Sequence, residues 1–204
     1  MSKIIKIKRP TQDIKAVITL YGKPRHGKTA TLRYLYYLLS GCSITQFKKG
    51  VGNHKDFRAI INYQDRTILL STVGDSVPDI DVNWMFFDGN MSFYKPGDKR
   101  MRPCINYSSP IGENVIVISP TRINDASARR QNDYISSIKD KLRCALFIHK
   151  RSPFRIVGPI DSETWDILTN SSEPKGDWTD SKARSAIRTA EEIKEQIDWI
   201  IKHL

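Results

Sequence analysis

Apolar and polar positions alternate along the chain in blocks that match two periods. Residues 15–21, KAVITLY, are nearly continuous apolar and β-branched, as in a strand buried on both faces. In 28–40, KTATLRYLYYLLS, the apolar positions Leu32, Leu35, Tyr36 and Leu39 recur at spacings of three and four, which predicts a helix, and Gly41 stops it. Two further strands are predicted at 57–63, FRAIINY, and 67–72, TILLST. Only Gln64, Asp65 and Arg66 separate them. So short a link permits a hairpin and forbids a parallel crossover, so the first of the two is expected to be antiparallel and at one edge of its sheet.

Residues 80–91 satisfy two patterns. Ile80, Trp84, Phe87 and Met91 lie at helical spacing, yet Trp84 to Phe87 is also a continuous apolar run. Residues 93–112 hold three prolines and two glycines among mixed charges and read as a surface excursion, a form that lids and binding loops often take. Buried strands follow at 115–119, VIVIS, and 144–149, CALFIH, with a helix over 126–141 between them. Phe154 to Val157 is a candidate edge strand. Asp161 to Leu168 reads as a short helix capped by Asp161 or Ser162, and Asn170 to Asp177 as a polar linker. The chain ends in an amphipathic helix at about 180–203, with the stripe Ala183, Ala186, Ile187, Ala190, Ile193, Ile197, Ile200 and Ile201. Strands alternating with helices predict an α/β fold. Residues 1–160 form its core and 161–204 are helices packed on that core.

Composition narrows the setting. The 204 residues suit one domain with a small appendage. Cys42, Cys104 and Cys144 fit no zinc knuckle or CxxC spacing and read as reduced thiols of a cytoplasmic protein. Met1 to Pro10 alternates Ile with Lys, unlike a signal peptide, and no apolar run approaches the roughly 20 residues of a membrane helix. The formal net charge is +11. Such a field attracts nucleotide, and it also suits a nucleic acid. The basic residues are scattered: Lys3, Lys6, Lys8 and Arg9; Lys48 and Lys49; Lys99, Arg100 and Arg102; Arg129 and Arg130; Lys150 and Arg151.

One segment carries specific chemistry. Gly22-Lys23-Pro24-Arg25-His26-Gly27-Lys28-Thr29 satisfies G-x-x-x-x-G-K-[ST] at every position, between a predicted strand and a predicted helix. Gly22 and Gly27 allow the tight turn that points successive N–H groups inward at a phosphate. Lys28 has the reach for β- and γ-phosphates, and Thr29 offers a hydroxyl to Mg²⁺. The helix start at Lys28, Thr29 and Ala30 adds the positive end of its dipole. Arg25 and His26 are variable loop positions that either touch phosphate or face solvent.

On these residues the chain resembles the P-loop NTPase superfamily, and over its length it looks like small bacterial P-loop proteins. The resemblance implies a three-layer, mostly parallel sheet and a site for ATP and Mg²⁺. It also implies a carboxylate at the end of a strand beside the loop strand, to hold Mg²⁺ or its waters together with Thr29. Asp75, just after ILLSTVG, is the first candidate, and Gly74 would let the chain turn and bring it near Thr29. Asp88, after WMFF, is the second. Ser71 and Thr72 read as ordinary strand-end hydroxyls. Arg122, after the strand VIVIS, stands where an arginine can stabilise a transferring phosphoryl group, and Arg129 and Arg130 are weaker lid candidates.

Three readings of the reaction compete: a small-kinase phosphotransferase, a regulatory NTPase, and an ATPase that acts on a nucleic acid or partner protein. The short hairpin is a Ras-like feature. Against a guanine preference, N-K-x-D is absent, His149-Lys150-Arg151-Ser152 replaces it poorly, and Gly74-Asp75 stands where D-x-x-G is expected. The sequence thus points to an ATP-binding NTPase that hydrolyses ATP or transfers its γ-phosphate, with GTP less favoured and Lys28, Asp75 and Arg122 as the reactive set.

Overall fold

The computed structural model describes residues 12–98, 100–123, 125–138, 141–147, 159–169 and 179–204. The basic N-terminal cluster, Lys99, the His149 to Ser152 segment, the candidate edge strand at Phe154 to Val157 and the expected linker at Asn170 to Asp177 lie outside these residues. Among these residues six strands form one sheet: β1 (Ile14–Tyr21), β2 (Arg58–Tyr63), β3 (Arg66–Ser71), β4 (Cys104–Ile105), β5 (Val115–Thr121) and β6 (Leu142–Phe147). Their order is β4-β2-β3-β5-β1-β6. All neighbours run parallel except β2 and β3, whose antiparallel register Tyr63↔Arg66 closes the expected tight hairpin.

Two expectations are corrected here. The strand β2 is not at the edge, because two residues of the 93–112 excursion, Cys104 and Ile105, pair with it in parallel. The excursion supplies partners that an edge would leave unmet: Arg58 N–H donates to the Pro103 carbonyl at 2.8 Å, and Asn106 Nδ2 donates to the Ile60 carbonyl at 3.2 Å. Nor does β3 lie beside β1. β5 stands between them, pairing with β1 over Ala16↔Ile116 to Tyr21↔Thr121 and with β3 over Ile68↔Ile116 to Leu70↔Ile118.

Among the described residues six helices accompany the sheet: α1 (Lys28–Ser40), α2 (Ile44–Val51), α3 (Val77–Phe87), α4 (Ala126–Ser137), α5 (Ser162–Thr169) and α6 (Asp180–His203). The ambiguous stretch at 80–91 is helical as far as Phe87, the end of α3, and Met91 lies beyond it. Ser76 caps it by accepting the Asp79 N–H, and Pro78 occupies the first turn, where its missing N–H costs nothing. The segment 126–141 stays helical only to Ser137. The last strand starts at Leu142 rather than Cys144. Helix α2 was not expected from the sequence. Its capping box, with Ser43 accepting from Gln46 N–H and the Gln46 side chain reaching back to Ser43 N–H, was the available signal.

Alternation along β1 explains how the core divides. Ala16, Ile18 and Leu20 join a cluster with Leu32, Leu35 and Leu39 of α1, Phe47 of α2 and the α6 stripe Ala190, Ile193, Ile197 and Ile200. Val17 joins a second cluster with Ile80, Trp84 and Phe87 of α3 and Tyr134 of α4, and Ile14 joins it too because the register of β1 against β5 shifts between Ile14 and Ala16. Successive residues point to opposite faces, so the two clusters lie on opposite sides of the sheet. Gln131 ties the second side together. Its amide donates to Thr19 Oγ1 at 3.1 Å and Ser119 Oγ at 3.2 Å, while its oxygen accepts from Trp84 Nε1 at 2.9 Å. Helix α6 packs on α1 within the first cluster, and its first turns reach Ala30 and Leu168. Among the described residues no helix is long and apolar enough to cross a membrane.

Candidate functional site

The loop between β1 and α1 sits at the carboxyl end of the parallel strands, where open α/β sheets hold ligands. Gly27 adopts φ 84°, in the left-handed region that favours glycine, and opens α1 with no side-chain cap on its first N–H groups. Arg25 is held at φ 62°, an uncommon conformation for a residue with a Cβ, and its side chain is exposed. Gly22 N–H donates to the Thr121 carbonyl at 3.2 Å, which fixes the loop's entry to the end of β5. Lys23 and Pro24 are exposed, His26 is half-buried, and Ala30 is buried under α5 and α6.

Lys28 folds into the loop. Its Nζ donates to the Gly22 carbonyl at 2.9 Å and the Lys23 carbonyl at 3.1 Å. Burial pushes its pKa below the usual lysine value, against the pull of Asp75. Asp75 Oδ1 lies 3.9 Å from Lys28 Nζ and 3.5 Å from Arg122 Nε, with the carboxylate 60% exposed. The three residues named as the reactive set are thus brought together.

What brings Asp75 there is the turn after β3. Gly74 passes so close to β5 that a Cβ on it would stand 1.9 Å from the Pro120 carbonyl oxygen. Buried Asn83 anchors the same turn, its Nδ2 donating to the Val73 carbonyl at 2.6 Å while its oxygen accepts from Ser71 Oγ and Arg58 Nε. Gly74→Ala is therefore expected to displace Asp75 or the β5 end, at a cost of about 1–3 kcal/mol. Urea melts check the stability loss, and a melt within about 0.5 kcal/mol of wild type would contradict the close packing.

Thr29 is held by a different carboxylate. Its Oγ1 donates to Asp56 Oδ1 at 3.2 Å. Thr72 is more than a strand-end hydroxyl, since its Oγ1 lies 3.4 Å from the same oxygen and accepts from Phe57 N–H at 2.8 Å. Burial pushes the Asp56 carboxyl above the ordinary aspartate pKa, while Arg102 and the Thr29 hydrogen bond pull it back and Asp75 adds to the rise. Asp56 was not identified from the sequence. It precedes β2 by two residues and carries no motif; the run Lys55-Asp56-Phe57 entering a buried strand was the available signal.

The remaining candidates lie away from this cluster or serve the fold. Asp88 caps the end of α3 and accepts the Gln12 N–H at 3.1 Å. Arg130 pairs with Asp81 at 2.6 Å and stacks over Tyr134, which binds it to the α3–α4 contact. Arg129 is exposed. From the 93–112 excursion, Arg102 reaches electrostatic range of Asp56.

A hydroxyl and a carboxylate in contact form a hard oxygen donor set, which fits Mg²⁺ held by one or two protein groups plus phosphate oxygens and water. Among the described residues no cluster of three or more His, Cys, Asp or Glu side chains could hold an ion without such help. Comparisons of the chain with protein-family models, with curated proteins and with solved structures return no match.

Proposed function

We propose that the chain is an ATP-binding P-loop NTPase that hydrolyses ATP or transfers its γ-phosphate. The observation that carries this reading is the joint placement of the complete G-x-x-x-x-G-K-T loop at a strand-to-helix junction and two carboxylates against its last two residues, Asp75 at Lys28 and Asp56 at Thr29. Helices on both faces of the sheet support a P-loop-type three-layer arrangement.

Each residue has a role in the proposal. The uncapped N–H groups at the start of α1 and the Lys28 ammonium bind phosphate oxygens, with Lys28 exchanging its two loop carbonyls for them. Thr29 and Asp56 would hold Mg²⁺, with Asp75 as a further candidate, and such an ion would supply charge neutralisation at the phosphates. Asp75 orients the attacking group, and Arg122, released from Asp75, faces developing negative charge. The absent guanine motif favours ATP over GTP.

A nucleic acid as the partner has one local observation in its favour. Tyr94 and Tyr107 pair at 5.2 Å on the same excursion that carries Lys95, Arg100 and Arg102, and aromatic faces among cations suit single strands.

Incubation with Mg·ATP and panels of nucleosides, nucleotides and oligonucleotides, read by mass spectrometry, separates the chemistries. New phosphorylated species identify a transferase, and ADP with free phosphate alone identifies a hydrolase. Intact ATP in every mixture would exclude both.

A further inference from the structure

We propose that Arg33 is a positioning residue that sets Asp56 against Thr29, an inference that rests on the nucleotide-site reading of those two residues. Arg33 stands one turn after Thr29 on α1, so both side chains leave the same face of the helix. It is 1% exposed. Its Nη1 donates to the Lys55 carbonyl at 2.7 Å and the His54 carbonyl at 3.3 Å. Its Nε donates to the Ile167 carbonyl at 2.6 Å in α5, and the guanidinium lies 4.7 Å from the centroid of the Phe47 ring in α2.

The consequence is geometric. Helix α1 grips the 54–56 segment twice, through the backbone carbonyls by Arg33 and through the carboxylate by Thr29. Residues 54 and 55 immediately precede Asp56, so their carbonyls fix where its Cα stands. A buried guanidinium is a costly way to fill apolar space, and burial pulls its pKa down to about 10. It stays charged at neutral pH, with Asp56 and Asp166 both favouring that charge. Asp166 is itself tied to α2 by Lys48 at 2.5 Å. The planar fork thereby joins α1, α2, α5 and the approach to β2 at one point. Arg33 itself touches none of the loop phosphate-binding atoms, so its effect passes through Asp56.

The test uses the full chain and two substitutions, Arg33→Met and Arg33→Lys. Lysine keeps the charge and loses the fork, and it serves if the methionine variant does not fold. Amide hydrogen exchange in the nucleotide-free protein gives the readout that does not depend on activity. Phe57 N–H is held by Thr72 Oγ1, the same hydroxyl that lies against Asp56, so its exchange should rise tenfold or more while β1 and β5 stay protected. Titrations with ATP, with and without Mg²⁺, give the second readout. Metal-free affinity should be retained and the Mg²⁺ requirement should shift tenfold or more to higher concentration. Unchanged Phe57 exchange, or an equal rise throughout the sheet, overturns the positioning role. Failure of the wild type to bind ATP at all overturns the nucleotide reading instead, and the exchange data distinguish the two.

Discussion

Lys28→Ala is expected to lower Mg·ATP affinity or turnover at least about thirtyfold while the fold survives. The functional loss follows from the charge. In the proposed complex Lys28 makes short ammonium–phosphate bonds in a sheltered loop, and truncating one partner of such a pair costs roughly 2–5 kcal/mol. The structural outcome has the opposite sign. Burial lowers the Lys28 pKa, so folding works against its charged form. That penalty is full below the folded-state pKa and fades as pH rises towards the ordinary lysine value. At neutral pH the alanine variant therefore loses a desolvated charge, whose hydrogen bonds reach only loop carbonyls. Thermal melting near the wild-type temperature, together with a fluorescent-nucleotide titration that no longer saturates, is the predicted pair of results. A variant that turns over ATP at the wild-type rate would remove Lys28 from the site.

The second large effect separates the two carboxylates. Asp56→Asn is expected to reduce Mg²⁺-dependent turnover about a hundredfold, more than Asp75→Asn does. Asp56 is half-buried against the Thr29 hydroxyl, whereas Asp75 is largely exposed and pairs with cations. Linkage gives this variant a signature. Burial raises the Asp56 pKa above its unfolded value, so ionising it costs stability. Stability on this account rises as pH falls through the raised pKa, and the gain is complete below the unfolded value. Asparagine mimics the neutral form, so Asp56→Asn should melt no lower than wild type at neutral pH and should flatten the acid side of the stability profile. Turnover and melts of both variants across pH 4 to 8 check this. If Asp75→Asn abolishes turnover and Asp56→Asn leaves it intact, the metal-side carboxylate has been assigned to the wrong residue.

The contrast between these residues shows what the sequence made legible. The loop from Gly22 to Thr29 is contiguous, and Gly22, Gly27, Lys28 and Thr29 each answer a local demand of the motif, so the proposed chemistry reads from one short segment. Asp75 was found because a strand and a glycine precede it. Gly74 proves to matter through its contact with the Pro120 carbonyl rather than through a special φ. Asp56 belongs to the site only because Arg33, 23 positions earlier, holds the carbonyls before it and Thr72, 16 positions later, meets its carboxylate. Such convergence leaves no spacing signal.

Strand order was hidden for the same reason. The hairpin of β2 and β3 is fixed by its short link, but the insertion of β5 between β1 and β3 depends on long-range pairing. The excursion read as surface loop contributes β4 because the β2 edge offers unmatched N–H and C=O groups. Helices α2 and α3 were within reach, since Ser43 with Gln46 and Ser76 with Asp79 are local capping signals that outweigh an irregular apolar stripe.

Isothermal titration calorimetry of the wild-type chain with ATP, in the presence and absence of Mg²⁺, tests the nucleotide site most directly. Saturable binding at one site per chain, tightened by Mg²⁺ and lost in Lys28→Ala, is the predicted result. No binding of ATP under either condition, nor of GTP in a parallel titration, would contradict the assignment of the loop.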